Sequence, residues 1–177
     1  MELDAIVTDP AVPAAGDFDR FFRELFPRVA RTAALVARDR QLGPDLAQEA
    51  FARLYERWDR MESVDHARNF AFRVAVNLAK SHLRRRQATS FGLVSPLERR
   101  DADPAARSVD WLGMVDALAA LSGRQRSCVV LVDYADMDAA TVAEILGMAE
   151  PTVRVHLMRG RRVPRERLGM QMEEDDR

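Results

Sequence analysis

A chain of 177 residues with 47% hydrophobic and 31% charged side chains has material for one medium core or two small ones. No run of about eighteen apolar residues is present, which excludes a membrane-spanning helix. The lone Cys128 excludes an internal disulfide, and the acidic start MELDAIVTDP has neither the basic nor the apolar segment of a secretory signal, so a cytoplasmic protein is expected.

A formal net charge of −1 hides a strong segregation. Acid gathers at the ends, in Glu2, Asp4, Asp9, Asp17 and Asp19 and again in Glu173 to Asp176. Base gathers inside, over Asn77–Arg86 and Arg154–Arg167. Basic clusters of this kind suit phosphates, although each alone could equally be a solvated helix face.

Residues 1–16, with Pro10, Pro13 and Gly16, read as an acidic disordered leader. From Phe18 to about Val36, apolar residues recur at three- and four-residue steps, which predicts a helix with Asp17 as its cap. Gln41-Leu42-Gly43-Pro44 should break the chain, and Asp45-Leu46-Ala47-Gln48 matches a capping box for a second helix. There Leu46, Ala50, Leu54 and Trp58 make an apolar stripe that leaves Gln48, Glu49 and Glu56 outside it. Arg60–Asp65 reads as a loop. A third helix over about Ala67–Arg86 has Phe70, Val74 and Leu78 as expected core positions, and its basic end sits where cations favour a helix terminus.

Residues 87–108 lose this periodicity and gain Pro96 and Pro104, the mark of a linker. Beyond it, helices are expected from Val109 and from the capping box Ser122-Gly123-Arg124-Gln125. Ala143, Gly147 and Val153 then stand at the offsets of a helix-turn-helix, with Asp138 as N-cap. Pro164 should break or kink the last helix, and 169–177 form an acidic tail. The expected fold is all-α: two small helical domains, 17–87 and 109–168, joined by a flexible linker over 88–108, the C-terminal one a helix-turn-helix.

Chemistry of the catalytic kind finds no support. His66, His82 and His156 lack partners at metal-ligand spacing, and there is no Gly-rich phosphate loop. Cys128 lies in an apolar run and reads as a buried thiol. No enzyme, no cofactor and no metal are expected. Arg154 and Arg159 on the second helix of the motif, with Arg161 and Arg162 after it, point to a DNA major groove.

From Phe18 to Leu168 the sequence resembles the extracytoplasmic-function (ECF) group of bacterial RNA polymerase sigma factors. DLAQEAFARLYERW (45–58) is similar to the family's polymerase-binding helix, NFAFRVAVNLAKSHLRRR (69–86) to its minus-10 helix, and the helix-turn-helix to its minus-35 reader. The resemblance implies that Asp45, Gln48 and Glu49 contact the β′ clamp helices of core polymerase. It implies that Asn77, Lys80, Arg84, Arg85 and Arg86 hold the opened minus-10 strand, and that the β flap is a further contact on core polymerase. At minus-35 it implies Thr152, Arg154, His156, Arg159, Arg161 and Arg162. An anti-sigma factor is a common further partner in the family; a membrane is not expected as one.

Five positions depart from the family's pattern: Ala149 at the recognition-helix N-cap, Thr141 where Glu is usual, Val155 where a small polar residue is usual, and Gly160 and Pro164, which interrupt what is normally a longer helix. They bear on minus-35 preference and leave the first half untouched. Other readings of the same residues are a stand-alone helix-turn-helix regulator, which would bind a palindromic site without polymerase, and a sigma-like interaction protein that no longer reads promoters.

Overall fold

A computed structural model describes residues 17–90 and 109–168. The expected leader, most of the linker and the acidic tail lie outside the described residues. Among the described residues seven α-helices follow in order: α1 Phe18–Ala37, α2 Leu42–Tyr55, α3 Val64–Ser90, α4 Val109–Ala119, α5 Gly123–Val129, α6 Ala139–Leu146 and α7 Glu150–Leu168. There is no strand among the described residues, and the apolar run Val129–Val132 is helical. Helices α1–α3 form one module and α4–α7 a second, as expected for an all-α pair.

Module one is built on close backbone approach. Gly43 sits where an added Cβ would lie 2.5 Å from the Ala30 carbonyl oxygen and 2.7 Å from the Ala34 Cβ. Ala47 and Ala50 of α2, and Ala67, Ala71, Ala75 and Ala79 of α3, are fully buried. The α3 core stripe therefore runs through these alanines with Phe72 and Val76. Phe70, Val74 and Leu78, expected in the core, are only half-buried. The correction has a plain cause: where helices approach closely, small residues own the contact, and bulky ones are displaced to its edge. An aromatic cluster closes the far end of the module, with Phe18 against Tyr55 and Trp58 at 4.9 and 5.1 Å and Phe22 against Phe51 at 4.9 Å.

Helix starts differ from the sequence rules in informative ways. Asp17 stands at the N-cap of α1, but its side chain makes no capping hydrogen bond. Helix α2 starts at Leu42 instead of Asp45, and Asp39 does the capping, its Oδ1 accepting from the Gln41 and Leu42 amides at 3.1 and 3.3 Å. Gly43-Pro44 thus opens a helix instead of breaking one, because the first turn has no use for the amide that proline lacks. Helix α3 starts three residues early, with the Ser63 Oγ accepting from the His66 amide, and runs on through residues 87–90.

Module two follows its signals more closely. Both halves of the Ser122–Gln125 capping box form, and Asp138 Oδ1 accepts from the Thr141 amide at 2.9 Å. A π-helical turn, Val130–Tyr134, continues α5, closed by the Ala135 amide on the Val130 carbonyl. Gly147 ends α6 at φ 63°, the left-handed region where glycine has no Cβ penalty. Ala143 and Val153 are buried as the motif requires. Pro164 does not end α7, which continues to Leu168; a proline removes one internal hydrogen bond, and the rest of the ladder carries the helix past it. Gly160 is no interruption either: an added Cβ would lie 2.8 Å from the Val129 Cγ2, so glycine there is what lets α7 lie on α5.

The substitution Gly43→Ala is expected to destabilise the protein by about 1–3 kcal/mol, since the clash is with backbone and cannot relax by a rotamer change. Equilibrium urea unfolding monitored by circular dichroism measures it; an unchanged midpoint would show that α1 and α2 can part without cost.

Candidate nucleic-acid interface

Burial of Ala47, Ala50, Phe51 and Leu54 fixes the rotation of α2 and turns Asp45, Gln48 and Glu49 outward, all three exposed. Glu49 is engaged one turn along, with the Arg53 Nε at 2.8 Å from its Oε1. Arg53 in turn reaches the neighbouring helix. Together with Val74, Asn77, Leu78, Ser81 and Arg85 it lines an open cleft of about 400 Å³ between α2 and α3. Guanidinium groups, an amide and a hydroxyl stand there over an aliphatic floor, a surface suited to a phosphate and the face of a base.

Of the residues expected near minus-10, Asn77 and Arg85 line this cleft, and Arg84 and Arg86 are exposed beyond it. Arg86 lies 3.4 Å from the Asp39 carboxylate. Lys80 lies apart from the cleft and half-buried under the second module. Burial, then the nearby Arg124 and Arg84, hold its ammonium below the ordinary lysine range, with Cys128 opposing. Arg53 and Ser81 were not singled out in the sequence, since Arg53 reads as half of an ordinary i, i+4 ion pair.

The second module presents α7 outward. Val153, Leu157 and Gly160 face its core, and Thr152, Arg154, Arg159, Arg161 and Arg162 are exposed. His156 is different: it is half-buried, and its enclosed Nδ1 has no hydrogen-bond partner among the described residues. Two of the arginines are engaged within the module. Arg154 pairs with Glu150 at 2.6 Å one turn back, and Arg161 grips Asp133 through both Nε and Nη2, at 3.2 and 2.6 Å. This second pair ties the π-helical turn to α7. A further buried arginine, Arg126, donates to the Leu118 and Leu121 carbonyls at 3.2 and 3.5 Å and so completes the end of α4. Burial and the nearby Arg38 push it down to about 10, which still leaves it cationic at neutral pH.

The modules touch. Arg28 of α1 donates to the Ala135 carbonyl, Arg73 of α3 to the Glu144 carbonyl at 3.2 Å, and Asn69 to the Glu144 carboxylate at 3.2 Å. Arg40 lies over the Trp111 ring at 5.7 Å. Helix α6, the first of the helix-turn-helix, thereby rests against α3.

Two helical modules, one with a polar cleft beside a basic helix end and one with a basic helix-turn-helix, define a two-part nucleic-acid reader. Comparison with known proteins gives the class a family. Residues 21–89 match the Sigma-70 region 2 model and residues 113–162 the Sigma-70 region 4 model. The chain is 30% identical over 152 residues to the RNA polymerase sigma-E factor of Streptomyces coelicolor, covering 86% of each. It is 30% identical over 156 residues to the ECF RNA polymerase sigma factor SigM of Mycobacterium tuberculosis, covering 85% of this chain and 78% of that one.

Two solved structures share the fold. The sigma factor RpoE, in complex with the anti-sigma factor NepR from Bartonella quintana, has a TM-score of 0.76 at 22% identity, over 89% of this chain and all of that one. CnrH, in complex with the cytosolic domain of CnrY, has a TM-score of 0.69 at 19% identity, over 90% and 92%. The chain belongs to the ECF group of RNA polymerase sigma factors. Its function is promoter-specific transcription initiation with RNA polymerase.

Cys128 has no measurable exposure, and burial pushes its thiol up to about 11, with Lys80 opposing. At pH 8 the folded protein is therefore expected to resist iodoacetamide and to take up one equivalent only on unfolding. Alkylation of the native protein at the rate of a free thiol would show that the module opens readily.

Proposed function

We propose a division of labour between the exposed faces just described. Asp45, Gln48 and Glu49 on α2 meet the β′ clamp helices of core polymerase, and the second module meets the β flap. Asn77, Lys80, Arg84, Arg85 and Arg86 hold the single strand of an opened minus-10 element. Thr152, Arg154, His156, Arg159, Arg161 and Arg162 serve the minus-35 duplex, Arg154, His156 and Arg159 toward the major groove and Arg161 and Arg162 on phosphates. The observation that carries this reading is the α2–α3 cleft: a polar, doubly guanidinium-lined groove opens beside the carboxylates of the same helix pair, so polymerase and strand meet adjoining surfaces of one rigid module. The protein does no bond-making chemistry of its own. Opening is a trapping process, in which bases that leave the stack are captured and the basic helix end retains the strand. It acts in the cytoplasm, where polymerase works. That both solved relatives are held by anti-sigma factors or a cytosolic partner domain supports an antagonist for this chain as well.

Transcription in vitro with purified core polymerase tests the reading as a whole; promoter-specific transcripts are expected only with the chain present. Binding to polymerase without initiation, or binding to a palindromic duplex without polymerase, would overturn it.

The double substitution Gln48→Ala with Glu49→Ala is expected to weaken core binding about tenfold, or roughly 1.4 kcal/mol, with folding intact because both side chains are exposed. Fluorescence titration against core polymerase reads the change, and parental affinity would remove Gln48 and Glu49 from the interface. Reversing Arg154 and Arg159 to Glu should instead leave core binding alone, weaken duplex binding and flatten its salt dependence. An unchanged salt slope would place those arginines away from the phosphates.

A further inference from the structure

The outermost line of α7 is apolar for most of its length and ends in an arginine. With Val153, Leu157 and Gly160 turned inward, the opposite side of the helix carries Pro151, Val155, Met158 and Arg162 at steps of four, three and four. Val155 is 40% exposed and Met158 63%, and both are among the few large apolar side chains that the described residues leave open to solvent. Around this pair stands a rim of exposed guanidinium groups, Arg154, Arg159, Arg161 and Arg162. Arg154 and Arg161 already hold Glu150 and Asp133, which keeps them at the sides.

An apolar centre inside a cationic rim calls for a polyanion with an apolar feature at its middle. A duplex meets this description in one way: the floor of the major groove offers hydrogen-bonding edges and, as its one apolar group, the thymine 5-methyl. An isopropyl side chain at the front of the helix has no hydrogen bond to offer and a methyl-sized contact to make. We propose that Val155 is a specificity-determining residue that reads a thymine methyl in the minus-35 element, with Met158 packing beside it. The inference rests on the reading that α7 lies in the minus-35 major groove and adds the chemical feature it recognises there.

The test uses holoenzyme reconstituted from the full chain and core polymerase. A duplex is selected by this holoenzyme from a library randomised over the minus-35 segment. Each thymine of the selected segment, on either strand, is then replaced singly by deoxyuridine, which removes the methyl and nothing else. At least one replacement is expected to weaken binding about fourfold, the worth of about 0.8 kcal/mol for one buried carbon. The Val155→Ala holoenzyme should show almost no penalty at that position, while Val155→Thr, which keeps one methyl, should retain part of it. Because the side chain is exposed, both variants should unfold at the parental temperature.

The proposal is overturned if no replacement matters to the parent, if Val155→Ala pays the same penalty, or if the selected segment has no thymine. In those cases the groove reading stands, and the apolar stripe serves a protein partner instead. A selection that returns no minus-35 preference at all, with transcription still depending on the chain, overturns the groove reading together with the proposal.

Discussion

The arrangement of the first module depends on one steric constraint, the near-contact of α1 and α2 at Gly43. With room for no more than a hydrogen between Gly43 and the Ala30 carbonyl, the two backbones are in close contact there. Ala33, Ala47 and Ala50 on α1 and α2, and Ala71 and Ala75 on α3, carry small side chains through the rest of the module's core, each with no exposed surface. Bulk is then excluded from the centre and is deposited at the ends and edges. The aromatic rings collect around Phe51 and Trp58, and Val74 and Leu78 become the floor of the cleft. The same constraint sets the rotation of α2, so the outward carboxylates and the place of Arg53 at the cleft are two consequences of one contact.

This explains what the sequence disclosed and what it withheld. Helices α1 to α3 and the helix-turn-helix were legible because periodicity and the Ala143, Gly147 and Val153 spacing report local geometry. The Ser122 and Asp138 caps were legible for the same reason: each needs only a side-chain acceptor three residues before its amide. Which face of α3 is core was not legible, since hydrophobicity ranks Phe70, Val74 and Leu78 above alanine while close packing ranks them below it. Asp39 hid as a cap because it acts from outside the expected helix start. Gly160 looked like a break because local propensity counts against it, but at that position α7 packs on α5, and tertiary packing outweighs propensity. The cleft, made jointly by α2 and α3, has no sequence signature, although Asn77 and Arg85 were singled out on other grounds.

The arginines of α7 divide by what already holds them. Arg154 is in an i, i+4 pair between exposed groups, the kind of pair worth a few tenths of a kcal/mol and readily exchanged for a phosphate. Arg161 is in a two-bond grip on Asp133, 28 residues away, where it fastens the π-helical turn. A phosphate contact at Arg161 competes with that fastening; one at Arg159 or Arg162 does not compete with any ion pair seen among the described residues. Basic residues adjacent in sequence are thus unequal in their availability to DNA, and the difference comes from partners on another helix.

The contact between the modules has the same character on a larger scale. Arg73 on the Glu144 carbonyl places a cation at the C-terminal end of α6, where the helix dipole favours it, and Asn69 completes the tie through the carboxylate. These groups are exposed, and water screens the charge in each contact, which keeps each one weak. Yet their position matters more than their strength. They lie on α3, along the helix that carries Lys80, and Lys80 is the one expected strand-holding residue that the second module covers. In this arrangement the face of α3 toward the cleft is open and the face toward α6 is shut. Full use of the basic residues of α3 therefore requires the modules to part there, at the cost of these polar contacts and of the apolar packing between the modules, while the cleft and the α2 carboxylates are reached with the modules in place. An encounter that begins on α2 and the cleft, and only then gains Lys80, is the order in which the least structure has to move.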